Sequence, residues 1–221
     1  MKLVFKIFIL IISIGFLGCK KDDRSGMSDA HTCTVVLKNA FDAHIGFNES
    51  LPANANTNTG NAAELPAFSW TVFGSQVSGR FLIKFPLDTI LSGSQILSAK
   101  LYLFGYPENY PSFAMPQGNS GDNVLLIQKV TESWDESTVT WNNQPATTSA
   151  DQIELPASTS IWNYNILDAD ITTLINQCYT NNNFGLLFKL KTEQNYRSIG
   201  FLSSEYTKAS MRPMLLVTYR H

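Results

Sequence analysis

The chain is poor in the residues that carry most enzyme chemistry. It has three histidines, His31, His44 and His221, and three cysteines, Cys19, Cys33 and Cys178. No histidine stands at metal-ligand spacing from another His, Cys or acid, which argues against a zinc centre. There is no Gly-x-Ser-x-Gly elbow, and only His44 is placed to serve a serine triad. Acidic pairs such as Glu132 with Asp135 or Glu136 fall in polar stretches. There, solvated or capping carboxylates are the ordinary outcome, not the apposed acids of a glycosidase. No Asp-x-Asp-x-Asp-Gly loop is present, and no internal repeat is visible. The sequence predicts a protein that is not an enzyme.

Long hydrophobic runs are absent except at the amino terminus. Lys2 and Lys6 precede an apolar run, Ile7 to Phe16, interrupted only by Ser13 and Gly15. A basic start, a short apolar stretch and small residues at the cut describe a signal peptide over residues 1–18, too short for a membrane span. Leu17-Gly18-Cys19 resembles a lipobox, in which the cysteine sulfur takes a diacylglycerol and becomes the first mature residue. Acyl chains anchor a protein because each buried methylene contributes ~0.8 kcal/mol. Lys20-Lys21-Asp22-Asp23 and the small residues after it predict a tether over 19–33. The run also resembles the export signal of surface-displayed Bacteroidota lipoproteins, so an outer-membrane lipoprotein on the cell surface is expected. Removing residues 1–18 deletes two lysines and no acid. The mature balance is 14 basic against 18 acidic residues, −4, with no overall attraction to nucleic acid.

Short strand signals fill most of the rest. Val35–Leu37, Ala43–Phe47, Arg80–Phe85, Lys100–Phe104, Val124–Val130, Gly185–Lys191, Ser198–Ser203 and Met214–Tyr219 are separated by turn-rich stretches. In Arg80–Phe85, Phe81, Ile83 and Phe85 alternate with Arg80, Leu82 and Lys84. Ile171, Leu174, Ile175 and Cys178 fall at i, i+3, i+4 and i+7, which predicts one helix near 170–179 with Asp168 or Asp170 as N-cap. The same pattern sends Cys178 into a core, so Cys33 and Cys178 are both expected as free thiols. The fold class expected over 34–221 is all-β, an antiparallel, jelly-roll-like β-sandwich with one short helix.

Asn39-Ala-Phe-Asp-Ala-His-Ile45, Asn58-Thr-Gly60, Arg80-Phe-Leu-Ile-Lys-Phe-Pro-Leu87 and Ile96-Leu-Ser-Ala-Lys-Leu-Tyr-Leu103 resemble the opening half of a DNRLRE domain. Val130-Thr-Glu-Ser-Trp-Asp-Glu-Ser-Thr-Val-Thr-Trp-Asn-Asn-Gln-Pro145, Asp168 to Ile175, Asn183-Phe-Gly-Leu-Leu187, Phe201-Leu-Ser-Ser-Glu205 and Arg212-Pro-Met-Leu-Leu-Val-Thr-Tyr219 are similar to its second half. These domains, the disaggregatase-related repeats linked to carbohydrate-binding module family 96, are β-sandwiches of secreted proteins. Some bind acidic polysaccharide such as alginate. The resemblance implies a non-catalytic glycan-binding role. One departure is Pro86, where the family carries Asp; a proline cannot donate to a ladder, so the strand should end there.

Trp134 and Trp141 are expected as core or corner anchors, with Val139 and Trp141 on one strand face. Trp70, Tyr106, Tyr110 and Phe113 sit beside turn residues, where aromatic faces could stack on sugar rings. Arg80, Lys84, Lys100, Lys189 and Lys191 fall opposite apolar strand positions and would form a basic stripe if their strands share a sheet. The partner expected is a polysaccharide or envelope glycan, with an anionic polysaccharide as the specific candidate, and the membrane is reached through the lipid anchor. The competing reading is a structural or adhesive envelope protein without a sugar site. No cofactor is required. Structural calcium is the one ion with candidate ligands, Asp42, Asn58, Asp168 and Glu205, each also suited to turns or caps.

Overall fold

The computed structural model describes residues 15–21 and 31–221. The expected signal peptide up to residue 14 and most of the expected tether, residues 22–30, lie outside the described residues. Twelve strands follow in order: β1 (Gly15–Lys21), β2 (His31–Leu37), β3 (Phe41–Asn48), β4 (Glu64–Val72), β5 (Ser75–Lys84), β6 (Gln95–Leu103), β7 (Leu125–Val130), β8 (Thr147–Leu155), β9 (Ile166–Asp170), β10 (Leu186–Leu190), β11 (Arg197–Leu202) and β12 (Met214–Arg220). The helix α1 (Thr172–Thr180) lies between β9 and β10. All pairings are antiparallel. One sheet runs β1-β2-β12-β6-β9, and the other β11-β4-β5-β10-β7-β8 with β3 also on β5. The all-β sandwich with a single short helix is what the patterning called for.

Apolar alternation decides which face each strand buries. Val35 and Leu37 of β2, Leu101 and Leu103 of β6, and Leu215 and Val217 of β12 meet Phe81 and Ile83 of β5, Ile127 of β7 and Phe188 of β10. Phe81 and Phe188 stack at 4.6 Å and 8° between planes, both fully buried. Truncating such a phenylalanine typically costs about 3–5 kcal/mol. α1 closes one end of this core with Ile171, Leu174, Ile175 and Cys178. Its cap is indirect: Ile171 occupies the N-cap, while Asp170 Oδ1 accepts from the backbone N and Oγ1 of Thr172. Strand β5 ends at Lys84, directly before Phe85-Pro86, in keeping with a proline that cannot donate to a ladder.

A second apolar cluster lies on the outer side of the β3–β5–β10 sheet. Ala43, Ile45, Leu82 and Leu187 are roofed there by Val139, Trp134 and Trp141. The roof is not a strand. Residues 131–146 form turns, with Val139 N and Thr138 N donating to Asp135 O and Trp134 Nε1 donating to Phe184 O at 2.6 Å. Trp134 and Trp141 are thus corner anchors as expected, but held by turns; the Asp135 and Asn143 side chains compete successfully for backbone N–H groups.

One further expectation changes. Cys33 is not a free thiol, because β1 pairs with β2 in a register that sets Cys19 opposite Cys33, and the two form a disulfide. Cys178 is free and buried. Within the expected 19–33 tether, Cys19 to Lys21 and His31 to Cys33 belong to paired strands.

Candidate functional site

The outer face of the β5–β10–β7 sheet brings part of the basic stripe together. Leu82 pairs with Leu187 and Phe81 with Phe188. Side chains of paired residues share a face and alternate along each strand. Arg80, Leu82 and Lys84 therefore face the same way as Leu187 and Lys189. Continuing the register one step beyond Phe81–Phe188 sets Arg80 against Lys189. Lys189 is itself paired with Leu126 of β7, and Leu187 with Gln128. Gln128 donates to Gln152 Oε1 at 2.7 Å and accepts from Thr147 Oγ1 at 2.9 Å, which extends the face as a hydrogen-bonded amide row.

The cations on this face differ in how they are held. Arg80 is half-buried and grips Glu193 through two 2.7 Å bonds, Gln144 Oε1 through a third at 2.8 Å, and lies 4.7 Å over the Trp141 ring. Lys191 bonds Glu154 at 2.7 Å. Lys84 lies over the rings of Phe41 and Trp134, at 5.1 and 5.2 Å. Lys189, also half-buried, has neither an acidic nor a hydrogen-bonding partner among the described residues. Lys100 does not join them. It stands on β6, in the opposite sheet, and bonds Asp170 at 3.0 Å.

The aromatic candidates also divide. Trp70 pairs with Val77, one step out of phase with Ser78 and Arg80, so it faces away from the cations. It is partly exposed, edge-on to Tyr196 at 5.1 Å, and lines a groove of about 300 Å³ with Phe68, Phe113 and Met115. Phe113 and Phe73 stand fully in solvent around it. Tyr106 is 2% exposed and belongs to the core beneath that groove, which corrects its candidacy as a sugar platform. Burial, reinforced by the Glu64 charge, holds its phenol well above the usual tyrosine range. Tyr110 covers Tyr106, with ring centroids 4.8 Å apart, and is half-buried.

The oxygen-bearing candidates separate in the same manner. Asp168 lies on β9 of the five-stranded sheet, in left-handed backbone at φ 58°, and makes no contact with the others. Asp42 and Glu205 come near enough for their charges to act on one another, and Glu136, from the Trp134 turn, accepts from the Asp42 N–H. Asp42 is 1% exposed; its N–H donates to Glu136 Oε1 at 2.7 Å and its Oδ2 accepts from Ser204 N at 2.9 Å. Its other oxygen, Oδ1, is buried with no partner. Burial first, then the Glu205 charge, pushes the Asp42 carboxyl well above its ordinary value. Burial also raises Glu136, with Glu205 and Asp135 adding to the rise against the Asp42 N–H. Asn58 ties the turn in place: its Nδ2 donates to Glu136 O at 2.8 Å and Val139 O at 2.7 Å. Gly60 sits so close that a Cβ there would stand 2.0 Å from Glu136 O.

Sequence reasoning missed Glu136 as a member of this group, and Gln128, Gln152 and Glu193 on the cationic face. Glu136 was visible only as one acid of Trp134-Asp-Glu-Ser137; nothing local shows that its turn folds back onto β3. No group of three or more His, Cys, Asp or Glu side chains among the described residues is arranged to hold a metal ion as it stands. No described helix is long and apolar enough to cross a membrane.

Comparison with known proteins adds one finding: the model of carbohydrate-binding module family 96 matches residues 52–219. That interval takes in β4 to β12 and most of both faces just described. No curated protein matches the chain.

Proposed function

Since the chain belongs to carbohydrate-binding module family 96, we propose that it binds an anionic polysaccharide on the outer face of the β5–β10–β7 sheet, without catalysis. The observation that carries this reading is Lys189, half-buried and unmatched, set between Arg80 and Lys191, whose charges Glu193 and Glu154 balance. A half-buried ammonium lacking a counter-charge attracts an anion more than a solvated one does, because water screens it less. A uronate or sulfate group would meet Lys189 and could share the planar guanidinium of Arg80 with Glu193. The partly exposed Gln152 and Gln144 side chains offer neutral donors and acceptors for ring hydroxyls. Trp141 supports this face from beneath Arg80 rather than stacking on sugar itself.

Binding should be weak and salt-dependent, since exposed charges are screened beyond about 10 Å at 0.1 M salt. Titration of the folded domain with alginate, pectate and a neutral glucan tests it at two salt concentrations. Lys189→Gln should weaken acidic-glycan binding severalfold, and Lys100→Gln, on the other sheet, should leave it unchanged. Binding to no acidic glycan, or equal binding by the Lys189 variant, refutes the site. The alternative, a structural or adhesive protein, draws on the burial of Tyr106 and the placement of Lys100; it predicts no binding in any arm.

We infer further that Cys19 carries a lipid and displays the domain at the outer membrane surface. The support is the Leu17-Gly18-Cys19 sequence after a basic, apolar leader. A sulfur in a diacylglycerol thioether cannot also bond Cys33, so anchor and disulfide are alternative fates of Cys19. The anchored form would hold Cys33 as a thiol.

A further inference from the structure

We propose that Asp42, Glu136 and Glu205 form a calcium site that clamps the 131–146 roof to β3 and the segment after β11. Three acids in one place are not by themselves a site; the telling atom is Asp42 Oδ1. A buried carboxylate oxygen without a partner costs several kcal/mol of desolvation, and native proteins seldom leave one. Here the cost is compounded, because the Glu205 and Glu136 charges both act against ionisation of Asp42, with hydrogen bonding from Ser204 opposing them. Lys84 acts on Glu136 only as the weakest of its influences.

The surroundings are made of oxygen. Asp42 supplies the floor, Glu136 a half-buried wall and Glu205 an exposed rim. Ser203 and Ser204 present hydroxyls that bond Glu205, at 3.1 Å and at 2.9 and 3.0 Å. Hard oxygen donors with no nitrogen or sulfur suit calcium, which accepts six to eight oxygens in flexible geometry at about 2.3–2.6 Å, better than zinc. Glu136 Oε1 and Asp42 Oδ2 are already committed to backbone N–H groups, which leaves Glu136 Oε2 and Asp42 Oδ1 to turn toward an ion. The three carboxylates do not yet converge at ligand distance. A cation between them would draw the exposed Glu205 inward, at the expense of its bonds from the Ser203 and Ser204 hydroxyls. The roof held by the ion carries Trp141 and Gln144, the contacts of Arg80, so the ion would also brace the proposed glycan face. The site itself does not depend on that face.

The alternative occupant of the orphan oxygen is a proton, and the two differ in what they predict. The experiment is thermal unfolding of the chelator-treated domain at pH 7, with calcium or magnesium added to millimolar levels, for the wild type and for Asp42→Asn. Calcium should raise the wild-type Tm by several degrees, with magnesium giving far less, and isothermal titration should show one calcium per chain. Asp42→Asn keeps the shape and the Ser204 bond but removes the charge; without metal it should be as stable as the wild type or more so. Its Tm should not respond to calcium. No calcium-dependent shift in the wild type, or an equal shift in Asp42→Asn, overturns the proposal and leaves Asp42 as a protonated acid. Alginate titration in chelator separates this from the sugar reading: a wild type that shows no calcium response yet binds alginate loses the ion site and keeps the glycan face.

Discussion

His44 offers the sharpest test of how this sandwich is packed, because burial keeps its imidazole neutral well below the usual histidine range. The residue sits in β3 opposite Phe81, tilted against Phe68 with ring centroids 5.9 Å apart. Gly46 and Gly79 give the ring its space; a Cβ at Gly79 would come 2.8 Å from Nε2. The ring keeps some exposed edge, but Nε2 is closed off from solvent and has no partner. Burial pulls its pKa from 6.5 down to about 4. The unfolded chain thus binds a proton below pH 6.5 that the folded chain refuses until about pH 4. Stability is full above pH 6.5 and is lost as pH falls through that window. At 1.36 kcal/mol per unit, the loss approaches about 3 kcal/mol, an upper figure given the exposed ring edge. Asp42 works in the opposite sense. Its carboxyl is raised, so the folded chain holds a proton more tightly above pH 3.8 and stability falls as pH rises through its own window. The assay is urea unfolding in calcium-free buffer from pH 7 to 4. His44→Phe shifts stability by some constant through crowding, but should remove the acid-side loss, so its difference from wild type narrows or reverses as pH falls. Asp42→Asn should steepen the wild-type loss by removing the compensating group. A His44→Phe difference that stays constant across the range would refute the reasoning.

Other expectations rest on single contacts. Gly60→Ala forces a Cβ to within 2.0 Å of Glu136 O, so the roof turn must move; we expect about 2–3 kcal/mol of destabilisation and a Tm drop of several degrees in a thermal melt. An unchanged Tm would show that the turn gives freely. Cys19→Ala should lose fatty-acid label in a metabolic labelling experiment; in the unlipidated chain the same change removes the partner of Cys33, so thiol titration of the unfolded variant should find Cys33 and Cys178 both reactive. Equal lipid label on the variant would remove the anchor from the account.

Much of the architecture was legible because strands and helix announce themselves by period. Phe81, Ile83 and Phe85 alternating with Arg80 and Lys84 read as β5, and the i, i+3, i+4, i+7 spacing of Ile171 to Cys178 read as α1. Strands β4 and β8 were not legible. Pro66 interrupts the pattern of β4, yet it is tolerated opposite Gly200, and β8 is an edge strand almost without apolar alternation. Sequence also fixed which residues were charged or aromatic, but not which of them would meet. Arg80, Lys84 and Lys189 share a face while Lys100 does not, because strand order sends β6 to the other sheet. Trp70 turned away from Arg80 through a one-residue phase that only the β4–β5 register sets. Asp42 and Glu205 lie 163 positions apart and Glu136 came to them on a turn, so their shared burial could arise only from the tertiary fold. Period is a local property and survives in one dimension. Register, strand order and the closure of long loops are set by long-range packing, and on these depends whether a charge is matched, stranded or placed to hold a ligand.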